Sequence, residues 1–315
     1  MDNLTHSLAG AVLGQMGMKR KTGLAMPALI IGANLPDIDA VAAIFGSQSL
    51  AMRRGLTHGP IALVVLPLIL TALLLAYHRW RPNPERLPVH RGWLLAMAYI
   101  GTLSHPALDW MNSYGIRFLE PFSSQWFAGD TLFIIDVWIW TGLALAVWLS
   151  QRRERRGLTN WRGPAIAGFA AVCVYIAANG LISGRAEATT ASAVTAQHGT
   201  PPTLVVANPV PVTFWKRDML WRDAEWHGYG DYVLGQNTRL QQGVMPNRLD
   251  DAALVARRED PAVRAFLFWS RMPVVTGYSD ETVLTDQRFT RSGLTALRGS
   301  GSANPFIVPL GVPPK

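Results

Sequence analysis

Histidine and aspartate recur through the first 140 positions of this chain at spacings that metal chemistry uses. His105-Pro-Ala-Leu-Asp109 sets an imidazole and a carboxylate four residues apart. On a helix both lie on one face and can reach one ion. Alone that pattern is common. Asn34-Leu-Pro-Asp37-Ile-Asp39 is more specific, because its proline biases the chain away from helix and puts Asp37 and Asp39 on a turn or local break. Arg54-Gly-Leu-Thr-His58 brings an imidazole to the mouth of an apolar run, and Asp2-Asn-Leu-Thr-His6 brings another. Asp130 and Asp136 stand at the start of a later apolar run. Imidazole with carboxylate suits zinc, manganese or iron. Carboxylates gathered in apolar surroundings repel one another, and each costs roughly 2.5–3.5 kcal/mol to place at a helix centre in a bilayer; one or two divalent cations relieve both penalties. Plainer roles compete at single positions. Asp2 reads better as a helix cap than as a ligand, and Asp130 reads equally well as either. His78 and His90 fall in a basic loop, His198 in a Thr- and Ala-rich stretch, and His227 in a stretch that reads as strand.

The elements that must position these groups are apolar. The chain has 315 residues, 49% hydrophobic and only 16% charged, and the apolar runs are confined to the part before about residue 182. Runs at 61–77, 131–149 and 164–182 have the length and character of membrane spans. Segments 4–18, 24–45 and 92–109 are shorter or interrupted by polar residues, and are expected to be helices sheltered inside the bundle. The expected fold is therefore an α-helical membrane bundle of about five or six helices over residues 1–182. A linker at 183–202 and a small soluble α+β or mostly β domain at 203–315 follow.

The net charge of +8 could signal nucleic acid or anionic lipid. Its placement favours the membrane: Lys19 to Lys21, the 79–91 loop and the 152–156 cluster each adjoin an apolar run. No nucleic-acid partner is expected, and membrane lipids are. Residues 4–18 lack a basic leader and a small-residue cleavage site, so they read as a retained segment. Basic loops in the cytoplasm put the N-terminus and the distal domain outside, in an inner (plasma) membrane of bacterial type. His6, Asp37, Asp39, His58, His105, Asp109, Asp130 and Asp136 then all fall at the outer face, although charge counting did not use them. Arg53 and Arg54 lie on that side too and count against the orientation. The single cysteine, Cys173, can form no disulfide within the chain and reads as a small packing residue.

In the distal part, aromatic and β-branched residues alternate partially over 212–218, 219–227 and 229–234, and 282–290 also reads as strand. Residues 250–258 and 260–272 read as helices, with Asp260 capping a helix that has Pro261 in its first position. Trp215, Trp221, Trp226 and Trp269 are expected in the core more than on a binding surface. The domain carries no nucleotide loop or metal motif of its own, and a lid or substrate-selecting role would suit it.

The four motifs, together with Asn112-Ser-Tyr-Gly115, Pro121-Phe-Ser123 and Gly129-Asp-Thr-Leu-Phe-Ile-Ile-Asp136, resemble the YdjM-like family of membrane-bound metal-dependent hydrolases over about residues 1–150. That family is distantly similar to the zinc-dependent phospholipase C and P1-type nuclease group. The similarity implies a helical bundle holding zinc, one to three ions, on His and Asp ligands. His105 and Asp109 match that group's H-x-x-x-D element, while its second H-x-x-x-[DE] element is missing and Asp130 or Asp136 would replace it. The leading expectation is a metal-dependent hydrolase at the outer membrane–water interface, acting on a lipid or amphiphilic phosphoester. His6, Asp37, His58, His105, Asp109 and Asp130 are the metal ligands in that reading, and Asp39 or Asp136 is the general base. The alternatives are a transporter or ion-coupling protein using the same cluster, and a non-enzymatic scaffold around a structural metal.

Overall fold

Apolar sequence with few breaks becomes helix through His198 and gives way to antiparallel sheet beyond it. The computed structural model describes residues 1–278, 281–290 and 304–311. The chain divides into two units, Met1–Asp39 with Arg54–Asn179 and Ala40–Arg53 with Gly180–Lys315.

In the first unit, α1 (Asn3–Gln15) starts where the Asp2 carboxylate accepts the N–H groups of Leu4 and Thr5, so Asp2 is the cap its position suggested. Helix α2 (Ala25–Asn34) stops at the Asn34-Leu-Pro break, and a 3₁₀ stretch continues from Leu35 to Gln48. The short α3 (Ser49–Met52) and a single 3₁₀ turn (Leu56–His58) lead to α4 (Pro60–Trp80). Helices α5 (Arg91–Asp109) and α6 (Val137–Arg155) follow.

Small residues set how closely these helices approach. A Cβ on Gly10 of α1 would lie 2.7 Å from the Leu29 carbonyl oxygen of α2, and one on Gly101 of α5 would lie 2.5 Å from the same oxygen. Glycine at both positions lets α1 and α5 close on α2, as small residues do between membrane helices. The core there is Leu13, Ala28, Leu29, Leu94, Met97 and Ala98.

Among the described residues, three helical stretches are long and apolar enough to cross a membrane: Ala25–Met52, Pro60–Trp80 and Gly163–His198. That is fewer than the five or six expected. With 13 residues α1 is short for a span. Helix α5 carries His105 and Asp109, and α6 ends in Gln-Arg-Arg-Glu-Arg. The apolar run expected from residue 131 becomes helix only at Val137, because Asp136 caps it.

Helix α7 (Gly163–His198) runs on through residues expected to be linker. Alanine is the best helix former, so this polar stretch stays helical, and the hydroxyls of Thr189, Ser192 and Thr195 find acceptors in carbonyls one turn back without leaving the helix. It ends where Gly199 takes φ +79° ahead of Pro201 and Pro202.

The second unit holds β1 (Leu204–Pro209), β2 (Lys216–Arg222), β3 (Trp226–Val233), β4 (Arg239–Leu240) and β5 (Met245–Pro246) in one antiparallel sheet. After α8 (Ala252–Ala256) and α9 (Pro261–Trp269) come β6 (Pro273–Tyr278), β7 (Glu281–Asp286), α10 (Gln287–Thr290) and β8 (Ile307–Gly311). Strands β6, β7 and β8 form a second antiparallel sheet. The expected strand at 282–290 therefore ends at Asp286 and turns into helix. Asp260 caps α9 with Pro261 in the first turn, as the sequence predicts. Trp221 and Trp269 are core, whereas Trp215 and Trp226 are substantially exposed. Burial alone would raise the Asp286 carboxyl, but the Arg288 guanidinium at 2.8 Å and further hydrogen bonds bring it down to about 2. The segment Ala40–Arg53 belongs to this unit, with α3 packed against α9 and Leu50 buried.

Candidate metal centre

The close approach of α1, α2 and α5 has a chemical result. His6 lies one turn before Gly10, and His105 lies one turn after Gly101, so the contacts on Leu29 bring the two imidazoles together. Their rings stack with centroids 3.8 Å apart. His105 and Asp109 share a face of α5, as their spacing required, and both are fully buried. The 3₁₀ turn before α4 turns His58 inward, and the break after α2 supplies Asp37.

One oxygen or nitrogen from each of Asp37, His58, His105 and Asp109 falls within 4.8 Å of all the others. His58 Nε2 is 3.1 Å from His105 Nε2 and 3.6 Å from Asp109 Oδ2. His105 Nε2 is 3.5 Å from Asp109 Oδ2 and 3.6 Å from Asp37 Oδ1. Ligands at zinc-type bond lengths of about 2.0–2.1 Å on a tetrahedron are separated by about 3.3–3.4 Å, so these spacings fit one shell around one ion.

The outer partners fix which nitrogens face inward. His105 Nδ1 is 2.7 Å from the Ala33 carbonyl, which can only accept, so Nδ1 carries the proton and Nε2 presents its lone pair. The Thr57 hydroxyl donates to Asp39 Oδ2 at 2.8 Å and sits 2.9 Å from His58 Nδ1, leaving its oxygen to accept from that ring. Asp39 Oδ2 also lies 3.4 Å from His58 Nδ1. Both inward nitrogens thus point lone pairs at each other across 3.1 Å, an arrangement compatible with a cation bound to both. Outer-shell carbonyl and carboxylate partners of this kind orient metal-bound imidazoles generally. Asp39 Oδ1 and both ring nitrogens of His6 are buried without hydrogen-bond partners. The donor set and these unsatisfied atoms fit a divalent metal.

Arg54 opens the motif that ends in His58, and the sequence pattern alone gives it no role at the centre. It is 3% exposed, and its Nε lies 3.0 Å from Asp109 Oδ2. Its Nη1 donates to Asn112 Oδ1 at 2.9 Å, and its guanidinium stacks 4.7 Å above the Tyr114 ring. Its backbone N–H donates to Asp39 Oδ2 at 2.7 Å, at a left-handed φ of +54°. Asp109 ends α5, where the helix dipole disfavours a carboxylate, and Arg54 offsets that. The Met1 amino group also contacts Asp109. The sequence signal for this shell was the motif pair around Arg54 and Asn112, which gave no hint of the ion pair.

The remaining predicted residues are placed differently. His6 is outside the four-residue shell, with Nε2 3.3 Å from Asp109 Oδ1. Asp136 is the N-cap of α6: Oδ1 accepts from Trp138 and Ile139 N–H, and Oδ2 accepts the Tyr175 hydroxyl at 3.0 Å. Asp130 is buried in a left-handed turn beside the end of α5, where Gly129 and Thr131 N–H donate to the Trp110 and Met111 carbonyls. Neither Asp130 nor Asp136 is among the four gathered residues. His227 lies in β3, buried and bonded to Asn247 Oδ1.

No curated protein and no solved structure matches the chain. A family model described as the YdjM inner membrane protein matches residues 1–186, which include every residue of the centre. That match covers more than half of the chain, and the chain belongs to the YdjM inner membrane protein family.

Proposed function

We propose that this protein is a membrane-bound metal-dependent hydrolase, with one divalent ion held by Asp37, His58, His105 and Asp109. The observation that carries the reading is the gathering of one ligand atom from each of the four residues within 4.8 Å of all the others, with four of the six spacings at 3.1 to 3.6 Å and two imidazoles facing each other. The carboxylates of Asp37, Asp39 and Asp109 outnumber the two cations beside them, Arg54 and the Met1 amino group, so the centre is net negative and favours a cation. Zinc is the first candidate on donor type. A bound ion of this kind supplies Lewis acidity and activates water. Asp39 is the general base in this reading. Its Oδ2 is anchored by Arg54 N–H and Thr57, while its buried Oδ1 has no partner and can take a proton. Asp37 is the least buried ligand, so substrate approaches from its side.

The centre lies at the ends of α2, α5 and the turn into α4, at the headgroup level of a bilayer those helices would cross. With the basic loops in the cytoplasm, that level is the outer face, and α1, α5 and α6 complete a six-helix bundle. Arg53 and Arg54 lie on that side and are outnumbered by the three basic clusters on the other. An interfacial site favours a lipid or other amphiphile, and the distant similarity to zinc-dependent phospholipase C favours a phosphoester. A second reading, a scaffold with a structural metal, is favoured by one observation: four protein ligands can close a tetrahedral shell.

Metal analysis of the purified protein tests the first step. Wild type should carry about one transition-metal ion per chain, with His105→Ala and Asp37→Ala carrying far less. A wild-type protein free of stoichiometric metal ends the proposal. Hydrolysis of lipid phosphoesters that is abolished by chelator and by Asp39→Asn separates enzyme from scaffold, in which metal is retained but no turnover occurs.

A further inference from the structure

The far end of α4 carries a second polar site. Helix α4 starts two residues after His58, and its 21 residues end at Trp80. At 1.5 Å per residue that is about 30 Å, the thickness of a bilayer's hydrocarbon core. The turn that follows borders an open surface pocket of about 500 Å³ lined chiefly by Tyr77, Trp80, Arg81, Asn83, Glu85 and Arg86. The turn is held in place. Glu85 N–H donates to Asn83 Oδ1 at 2.9 Å, Gly23 N–H to the Pro88 carbonyl at 2.9 Å, and His90 N–H to Thr22 Oγ1 at 2.8 Å. Gly23 is required there, because a Cβ would lie 2.2 Å from the Leu87 carbonyl oxygen.

Both arginines are pre-oriented on aromatic rings, Arg81 at 4.7 Å over Trp80 and Arg86 at 6.0 Å over Tyr77. Arg86 Nη1 is buried and makes no hydrogen bond, and neither arginine forms an ion pair among the described residues. Glu85 offsets one of the two charges and leaves the lining net positive. A stripe of exposed apolar side chains, Ile69, Leu73, Tyr77 and Trp80, runs down one face of α4 into the pocket. A guanidinium pair at headgroup depth with an apolar track leading to it matches a phosphate that carries acyl chains.

We propose that this pocket binds the phosphate headgroup of an anionic phospholipid between Arg81 and Arg86, with its acyl chains along the exposed stripe of α4. A zwitterionic lipid brings its own ammonium into a net-positive pocket and binds less well. The proposal is independent of the metal centre and survives or fails without it.

The test uses the full chain in nanodiscs of phosphatidylcholine with or without phosphatidylglycerol, with thermal unfolding as one readout and lipid retained in native mass spectrometry as the other. Phosphatidylglycerol should raise the wild-type midpoint. The double variant Arg81→Gln, Arg86→Gln should lose at least half of that shift and retain about tenfold less phosphatidylglycerol. Arg79→Gln, outside the pocket lining, should leave both readouts unchanged. A double variant that keeps the full shift overturns the site. So does inorganic phosphate reproducing the shift in phosphatidylcholine discs, which would identify a free anion as the ligand. If the double variant does not fold, Arg86→Lys replaces it: this variant keeps the charge but not the planar fork, and retention of the whole shift overturns the proposal.

Discussion

Arg54 shows how much of the centre rests on residues that do not bind metal. Its guanidinium holds Asp109, Asn112 and Tyr114 together, and its N–H fixes Asp39, all from a strained left-handed backbone. It also competes with a metal ion for the same carboxylate. Replacing it with methionine leaves Asp109 buried beside one fewer cation, which should cost roughly 3–5 kcal/mol in the metal-free protein. Metal binding then restores the missing charge, so zinc should raise the unfolding midpoint of Arg54→Met by more than that of wild type. Equal zinc shifts in the two proteins would show that Arg54 and the ion do not share Asp109. At this scale the sequence was informative about residue type. His58, His105, Asp37 and Asp109 stood out because ionisable groups are rare in apolar runs. Asp136 stood out for the same reason, yet it caps a helix and takes the Tyr175 hydroxyl. A carboxylate at the polar end of an apolar run serves either purpose, and the sequence does not distinguish them.

At the scale of elements, the centre depends on three helix backbones meeting at Leu29. Gly10 and Gly101 contact the same carbonyl, and each stands one turn from a histidine of the stacked pair. Gly101→Val should force α5 away from α2 at a cost of about 1–3 kcal/mol. His105 should move with α5, so metal content should fall although no ligand is changed. A variant with a lower unfolding midpoint and unchanged metal content would separate helix packing from the site. Helix existence was legible from the apolar runs, and the break at Asn34-Leu-Pro was legible from proline. Helix ends were not. Helix α6 begins later than its apolar run because Asp136 caps it, and α7 continues through a Thr- and Ala-rich stretch because alanine favours helix.

For the whole molecule, orientation is the property that charge distribution controls most directly. In the orientation we propose, Lys19 to Lys21 and the 79–91 and 152–156 clusters are cytoplasmic and the distal domain at 203–315 is outside. A cysteine introduced at the exposed Trp226, in a background with Cys173 replaced, should react with a membrane-impermeant thiol reagent in intact cells. Reaction only after lysis would reverse the orientation. The division of the chain was less legible. Residues 40–53 leave the helical unit at Asp39 and rejoin it at Arg54, and between those points they belong to the distal unit. The two ends of that excursion are tied by the Arg54 N–H bond to Asp39 Oδ2. No local signal marks such a segment, because its composition, apolar and uncharged as far as Arg53, is also that of a span.

From the sequence alone follow the membrane character of the first unit, the kinds of residue that could hold a metal and the α+β or mostly β nature of the distal residues. Each depends on composition or on spacing within one element, where hydropathy, helical period and capping act locally. The tertiary structure decided which histidines and aspartates meet, that Arg54 neutralises Asp109, and that Asp130 and Asp136 stand outside the four-residue shell. Those outcomes depend on distances between residues far apart in the chain, set by how closely glycine-bearing helices approach, and no local pattern encodes that approach.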